Sequence, residues 1–221
     1  MAKEYPFIPF KMSKLSSDEM TKRSEVFYNE LKQRRSIRHF SSTPIPRSVI
    51  ENIIMTASSA PSGANKQPWT FCIIESADIK RKIREAAEKE EKLNYQERMT
   101  ESWLRDLAPL GTDEHKPFLE DVPYLIVVLK KSYDLVDDEK HKNYYVNESV
   151  GIASGFLIAA IHQAGLCTLT HTPSPMSFLE KILNRPKNEK AILLLPVGIA
   201  ADDCMVPDIG KKKFEEVAKW Y

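Results

Sequence analysis

Residues 146–172, VNESVGIASGFLIAAIHQAGLCTLTHT, contain the change of periodicity that decides the fold class. From Val146 to Gly165 the run is apolar and of helical length, and Gly165 suits the left-handed residue that closes a helix. From Cys167 to Thr172 the side chains alternate, which predicts a strand with Thr168, Thr170 and Thr172 on one side. Working outward, Tyr124 to Leu129 and Ala191 to Ile199 are continuous apolar runs, as expected of strands covered on both faces. Thr70 to Ile74 reads as another strand. Helices fill the gaps. One begins behind Ser16, with Glu19 three residues on as a capping box and Phe27 and Leu31 on a buried stripe, and runs towards Arg35. A second starts near Pro46, with Val49, Ile50, Ile53, Ile54 and Ala57 at a period near 3.6. A long charged helix follows Ser76 from about Asp78, with Ile79, Ile83 and Ala87 on one face. A short one spans Pro175 to Asn184. The alternation predicts an α+β domain covering 1–221, with a mixed central sheet surrounded by helices.

The chain has 221 residues, of which 42% are hydrophobic and 29% charged, enough for one sizeable core. Thirty-two Lys and Arg against 31 Asp and Glu leave a net charge of +1, which argues against a general nucleic-acid binder. Cys72, Cys167 and Cys204 lie far apart with no C-x-x-C, so no zinc ribbon or disulfide framework is indicated and a reducing, cytoplasmic setting is expected. The N-terminus lacks the apolar core of a signal peptide, and the apolar stretch Val150–Ile161 is shorter than the roughly 18–20 residues of a membrane span. His115, His141, His162 and His171 have no metal-ligand spacing, and nucleotide-binding glycine motifs are absent.

Three constellations carry possible chemistry. Arg34, Arg35, Ser36 and Arg38 form a dense anion site, although a basic helix end complementing the macrodipole would look the same. The loop Pro61-Ser62-Gly63-Ala64 has short side chains that leave amides free, with Gly63 allowing positive φ or close approach; a plain helix-to-strand loop is the simpler alternative. Glu91 and Tyr95 share one helix face, and Lys116 lies in a segment able to fold back over it. An acid, a phenol and an ammonium suit a zwitterion, while a solvated, ion-paired helix needs no ligand. Lys212, in a basic triplet near the C-terminus, could add a phosphate contact.

With RRSIRHF (34–40) and APSGANKQPWTF (60–71), the chain resembles the nitroreductase-like flavoproteins. With EKEEKLNYQERM (88–99) and the Lys116 region it resembles their iodotyrosine deiodinase branch in particular. The resemblance implies an intertwined homodimer with FMN at the subunit interface and shared active sites. Arg34, Arg35, Ser36, Arg38 and Lys212 would hold the flavin phosphate and its neighbourhood. Pro61, Ser62, Gly63 and Ala64 would form the flavin loop, the Ala64 amide also taking the substrate phenolate. Thr170, His171 and Thr172 would line the cofactor wall, the Thr172 hydroxyl reaching flavin N5 as the catalytic contact. His171 stands where Thr is common in animal members. Glu91, Tyr95 and Lys116 would clamp the amino-acid end. The implied activity is reductive dehalogenation of mono- and diiodotyrosine by single-electron steps from reduced flavin, fed by reduced nicotinamide or a reductase. A general nitroreductase or flavin reductase is the alternative. The membrane anchor of animal members is not seen here.

Overall fold

The computed structural model describes residues 5–221, in two compact units: residues up to Arg34, and residues from Arg35 on. The first unit contains helix α1 (Ser17–Leu31). Ser16 caps it, its Oγ accepting the Glu19 amide at 3.2 Å. Only half of the expected capping box forms, because the Glu19 carboxylate turns forward to Arg23 at 2.7 Å. The buried stripe is a correction: no α1 residue is buried, and Phe27 is 54% exposed. The helix also stops at Leu31, short of the arginines.

In chain order the second unit comprises β1 (Phe40–Ser41), α2 (Arg47–Ser58), β2 (Trp69–Ile74), α3 (Ala77–Leu93), α4 (Glu101–Leu107), α5 (Phe118–Asp121) and β3 (Tyr124–Lys131). There follow β4 (Tyr133–Val136), β5 (Glu139–Lys142), α6 (Val146–Gln163), β6 (Cys167–Thr168), α7 (Ser177–Ile182), β7 (Glu189–Ala200) and α8 (Phe214–Val217). The main sheet runs β1-β7-β3-β2, with β6 also on β7. Its ladders are antiparallel, and the parallel component among the described residues is the single bridge between Ser36 and Thr168.

Strand β3 shows why its run is apolar throughout. Tyr124, Ile126 and Val128 enter one core cluster, with Ile50, Ile53 and Ala57 of α2 and Val150, Leu157 and Ile161 of α6. Leu125, Val127 and Leu129 enter a second cluster with Ile83 and Ala87 of α3 and Leu179 of α7. Successive side chains of one strand thus feed two cores, one on each face of the sheet. Ser76 caps α3 as expected, accepting the Ile79 amide, and Gly165 closes α6 at φ 74°.

The strand expected over 167–172 is shorter than the alternation suggests. It ends at Thr168, and His171 rejoins the sheet only through reciprocal backbone bonds to Leu194, at 2.9 and 3.0 Å. Thr168 is buried while Thr170 and Thr172 are exposed, so the three threonines do not share a face.

Leu195 lies opposite Ile126 and is fully buried. Leu195→Ala should lower unfolding stability by about 2–5 kcal/mol in urea titrations, against about 0.5 kcal/mol or less for exposed Leu135→Ala. Equal midpoints for the two variants would contradict the core assignment.

Candidate functional site

One cavity of about 240 Å³ opens beside Arg47, Glu75 and Tyr124, away from the predicted residues. Another, of about 170 Å³, is lined by Arg38, Glu91, Tyr95, Lys116, Thr170, His171 and Thr172. Sequence reasoning singled out all seven. They come from four stretches: the segment ahead of β1, the end of α3 with the turn after it, the loop before α5, and the loop after β6.

Past Leu93 the helix widens into a π turn, Asn94–Arg98, with the Met99 amide bonded to the Asn94 carbonyl at 2.9 Å. Glu91, Tyr95, Met99, Trp103 and Leu107 recur at every fourth position, and all five line the cavity. The last three were missed. The every-fourth pattern was available to find them, but it crosses the break at Thr100, which caps α4 by accepting the Trp103 amide at 3.3 Å.

Lys116 does fold back over this row. Its Nζ lies 3.5 Å from Glu91 Oε2, with the side chains only 3% and 10% exposed. The Lys116 amide donates to Glu88 Oε1 at 2.6 Å, and its Nζ also reaches Thr112 Oγ1 at 3.3 Å and the Asp113 carbonyl. The Tyr95 hydroxyl donates to the Thr112 carbonyl at 3.0 Å, and its ring faces the Lys116 ammonium at 5.7 Å. Burial pushes the Lys116 ammonium below its ordinary value, with the Glu91 carboxylate opposing the shift. Burial likewise raises the Tyr95 phenol.

Across the cavity, burial weakens the Arg38 guanidinium without threatening its charge. His171 stands edge-on to Phe118, ring centroids 6.0 Å apart, and its buried Nε2 has no hydrogen-bond partner. Burial, then the Lys116 and Arg38 cations, pull its imidazole down to about 3. His171 is therefore neutral at physiological pH.

The arginine run does not converge as one helix end. Arg34 belongs to the first unit, the Arg35 guanidinium donates to the Pro207 carbonyl, and Ser36 is held by its bridge to Thr168. Lys212 is exposed and does not line the cavity. Nor do Pro61, Ser62, Gly63 and Ala64. In that loop Ser62 Oγ accepts the Gln67 amide at 2.9 Å, and the Gly63 amide donates to Ser149 Oγ at 3.3 Å. Gly63 serves close approach: an added Cβ would lie 2.8 Å from the Tyr145 ring. The positive φ falls instead on Ala64, Asn65 and Gln67, at 50°, 52° and 47°.

Residues 31–199 match the Nitroreductase family. An iodotyrosine deiodinase of Haliscomenobacter hydrossis is 58% identical over 213 residues, 96% of both chains. The chain belongs to the nitroreductase family, in its iodotyrosine deiodinase branch. The Hydra vulgaris deiodinase is 46% identical over 96% of this chain and 78% of its own. A crystal structure of oxidised iodotyrosine deiodinase bound to FMN and 3-iodo-L-tyrosine superposes with a TM-score of 0.74 at 29% identity, covering 88% of this chain and 98% of that one.

Among these deiodinase residues the neutral imidazole gives a pH signature. Between the ordinary value of 6.5 and about 3 the unfolded chain binds a proton at His171 that the folded chain refuses. Stability contributed by the neutral ring is complete above pH 6.5 and is lost as pH falls through that window, by at most about 1.4 kcal/mol per pH unit. Urea unfolding at pH 7.5, 6 and 5 should show His171→Gln losing less stability on acidification than the parent. Parallel losses would overturn the neutral assignment.

Proposed function

We propose that the chain is an FMN-dependent reductive dehalogenase that converts mono- and diiodotyrosine to tyrosine and iodide. The observation that carries this is the buried Lys116–Glu91 pair, lining with Tyr95 a cavity that Arg38 and Thr172 also line. An amino acid in its zwitterionic form carries the complementary pair of charges. Glu91 takes the ammonium, while Lys116 and the Tyr95 hydroxyl take the carboxylate. Both protein charges are already desolvated and anchored, so binding buries only the ligand's two charges, each against a waiting partner, and one ion pair becomes two.

The residues present suit a flavin mononucleotide. His171, whose buried Nε2 has no hydrogen-bond partner, lines the cavity together with the Arg38 cation and the Thr170 and Thr172 hydroxyls, donors of the kind a heteroaromatic ring with carbonyl edges requires. Arg34, Arg35, Ser36, Arg38 and Lys212 would hold the phosphate and its surroundings, and Thr170, His171 and Thr172 the ring, with Thr172 towards N5. FMN, when bound and reduced, supplies the two electrons, one at a time. Replacing the aryl C–I bond by C–H consumes these two electrons and one proton and releases iodide. The protein orients the ring, closes the row from Glu91 to Leu107 over it, and excludes water.

Pro61, Ser62, Gly63 and Ala64 lie outside this cavity, which supports a site completed by a second copy of the chain. Ile152 and Phe156, one turn apart on the open face of α6, are 44% and 40% exposed, and small Gly151 and Gly155 beside them allow close approach. In such a homodimer the partner's loop delivers its Ala64 amide, which the loop's own bonds do not use, to the substrate phenolate. On this reading 1–221 is a single FMN-binding domain. No described helix is long and apolar enough to cross a membrane, and the three cysteines are unpaired, as a reducing, cytoplasmic setting would leave them; on this reading the electrons come from reduced nicotinamide or a reductase.

Lys116→Ala and Glu91→Gln should each weaken 3-iodo-L-tyrosine binding by about 2–5 kcal/mol, roughly thirtyfold or more, while FMN stays bound. Titration of the holoprotein by flavin fluorescence checks this. Unchanged affinity in both variants would remove the clamp. In anaerobic single turnover the reduced enzyme should release iodide from iodotyrosine. Rapid nitroarene reduction with no iodide release would mark a general nitroreductase instead.

A further inference from the structure

Two rows of side chains run side by side through the π turn. Glu91, Tyr95 and Met99 line the cavity. The neighbouring row is Glu90, Asn94 and Arg98, and its members are bonded to one another. Arg98 Nη1 donates to Glu90 Oε2 at 2.9 Å, to Asn94 Oδ1 at 3.3 Å, and across to the Ser174 carbonyl at 3.1 Å. That carbonyl is two residues beyond Thr172, at the end of the wall opposite the lid. In an unbroken α-helix every fourth residue advances by about 40° around the axis, so such a row would drift away from the wall. The wider π turn offsets part of that advance and keeps both rows in line. One row grips the wall while the other faces the ligand.

We propose that Arg98 is a positioning residue, a latch that holds the lid segment from Glu91 to Leu107 against the Thr170–Ser174 wall and so fixes Glu91 and Tyr95 for the zwitterion. What the lid grips rests on the halotyrosine reading; the latch itself rests on the three Arg98 contacts. All three contacts are made by one terminal nitrogen, Nη1, whose two N–H groups are shared among a carboxylate, an amide oxygen and the carbonyl on the wall, so one permanently charged group joins the lid's own row to the Ser174 carbonyl. The Glu90 carboxylate, less exposed than Arg98 at 23% against 45%, is the charged anchor on the lid's own side. The carbonyl of Ser174 is a neutral acceptor, so the latch can release without leaving a charge stranded on the wall.

Limited chymotrypsin digestion of the FMN-loaded, ligand-free protein tests the latch directly, because Trp103, Leu104 and Leu107 lie in the lid. Arg98→Ala should be cut there about tenfold faster than the parent, and Arg98→Lys, which keeps the positive charge on one donor nitrogen of different reach, at an intermediate rate. Equal cutting of Arg98→Ala and the parent would overturn the proposal. Binding of 3-iodo-L-tyrosine should weaken about tenfold in Arg98→Ala with FMN affinity within twofold of the parent. Unchanged iodotyrosine affinity, or loss of FMN alongside it, would also overturn it, the latter by making Arg98 a support of the whole fold. Glu90→Gln, which keeps Arg98 on Ser174, should give a smaller loss, about threefold, and serves if Arg98→Ala does not fold. Should the parent itself fail to bind iodotyrosine, the halotyrosine reading falls, and the ligand-free digestion still decides the latch.

Discussion

An ammonium and a carboxylate 3.5 Å apart, both almost wholly removed from water, are costly to keep in a protein that gains no packing from them. The Lys116–Glu91 pair persists because the chain around it is built to hold and satisfy the ammonium end. Glu88 fixes the Lys116 backbone, Thr112 and Asp113 take up remaining Nζ donors, and Tyr95 closes over the ammonium. Much of the structure between α3 and α5 exists to bring Lys116 back to the helix it left some twenty residues earlier. Removing either charge would leave the other buried and unpaired, which costs more than the pair itself is worth. A charge pair of this kind is poor for stability and well suited to exchange with a ligand that brings its own two charges.

The opposite wall has a different electrostatic design. Burial is the main reason the His171 ring stays neutral, and the Lys116 and Arg38 cations add to it by repelling a third positive charge, leaving a neutral ring with an unused nitrogen. Cofactor and substrate thus meet a site that combines a buried ion pair with a neutral imidazole beside the Arg38 cation, and the loop at Pro61–Ala64 does not line it.

Much of this was legible in the residues. The helix starts at Ser16 and Ser76 followed from short polar side chains ahead of periodic runs, and the doubly covered strands from unbroken apolar stretches. Glu91 and Tyr95 were legible as one helix face, and Lys116 as a return contact. The rest depended on what local pattern does not encode. The alternation of Thr168, Thr170 and Thr172 suggested a longer strand than forms, because the chain leaves β7 after Thr168 and touches it again only at His171. The apolar side of α1 promised burial that this chain alone does not provide, since periodicity reports an amphipathic face and not what covers it. The π turn gave no compositional signal, and the every-fourth row that reaches Met99, Trp103 and Leu107 was masked by the helix break at Thr100.

The central claim is that the buried Lys116–Glu91 pair is held for exchange with an amino-acid zwitterion. The most direct measurement compares 3-iodo-L-tyrosine with 2-iodophenol, which keeps the iodinated phenol and lacks the zwitterion, by flavin-fluorescence titration of the same oxidised holoprotein. The account predicts that iodophenol binds at least about a hundredfold more weakly, the loss of two buried charge contacts. Comparable affinities for the two ligands would contradict it.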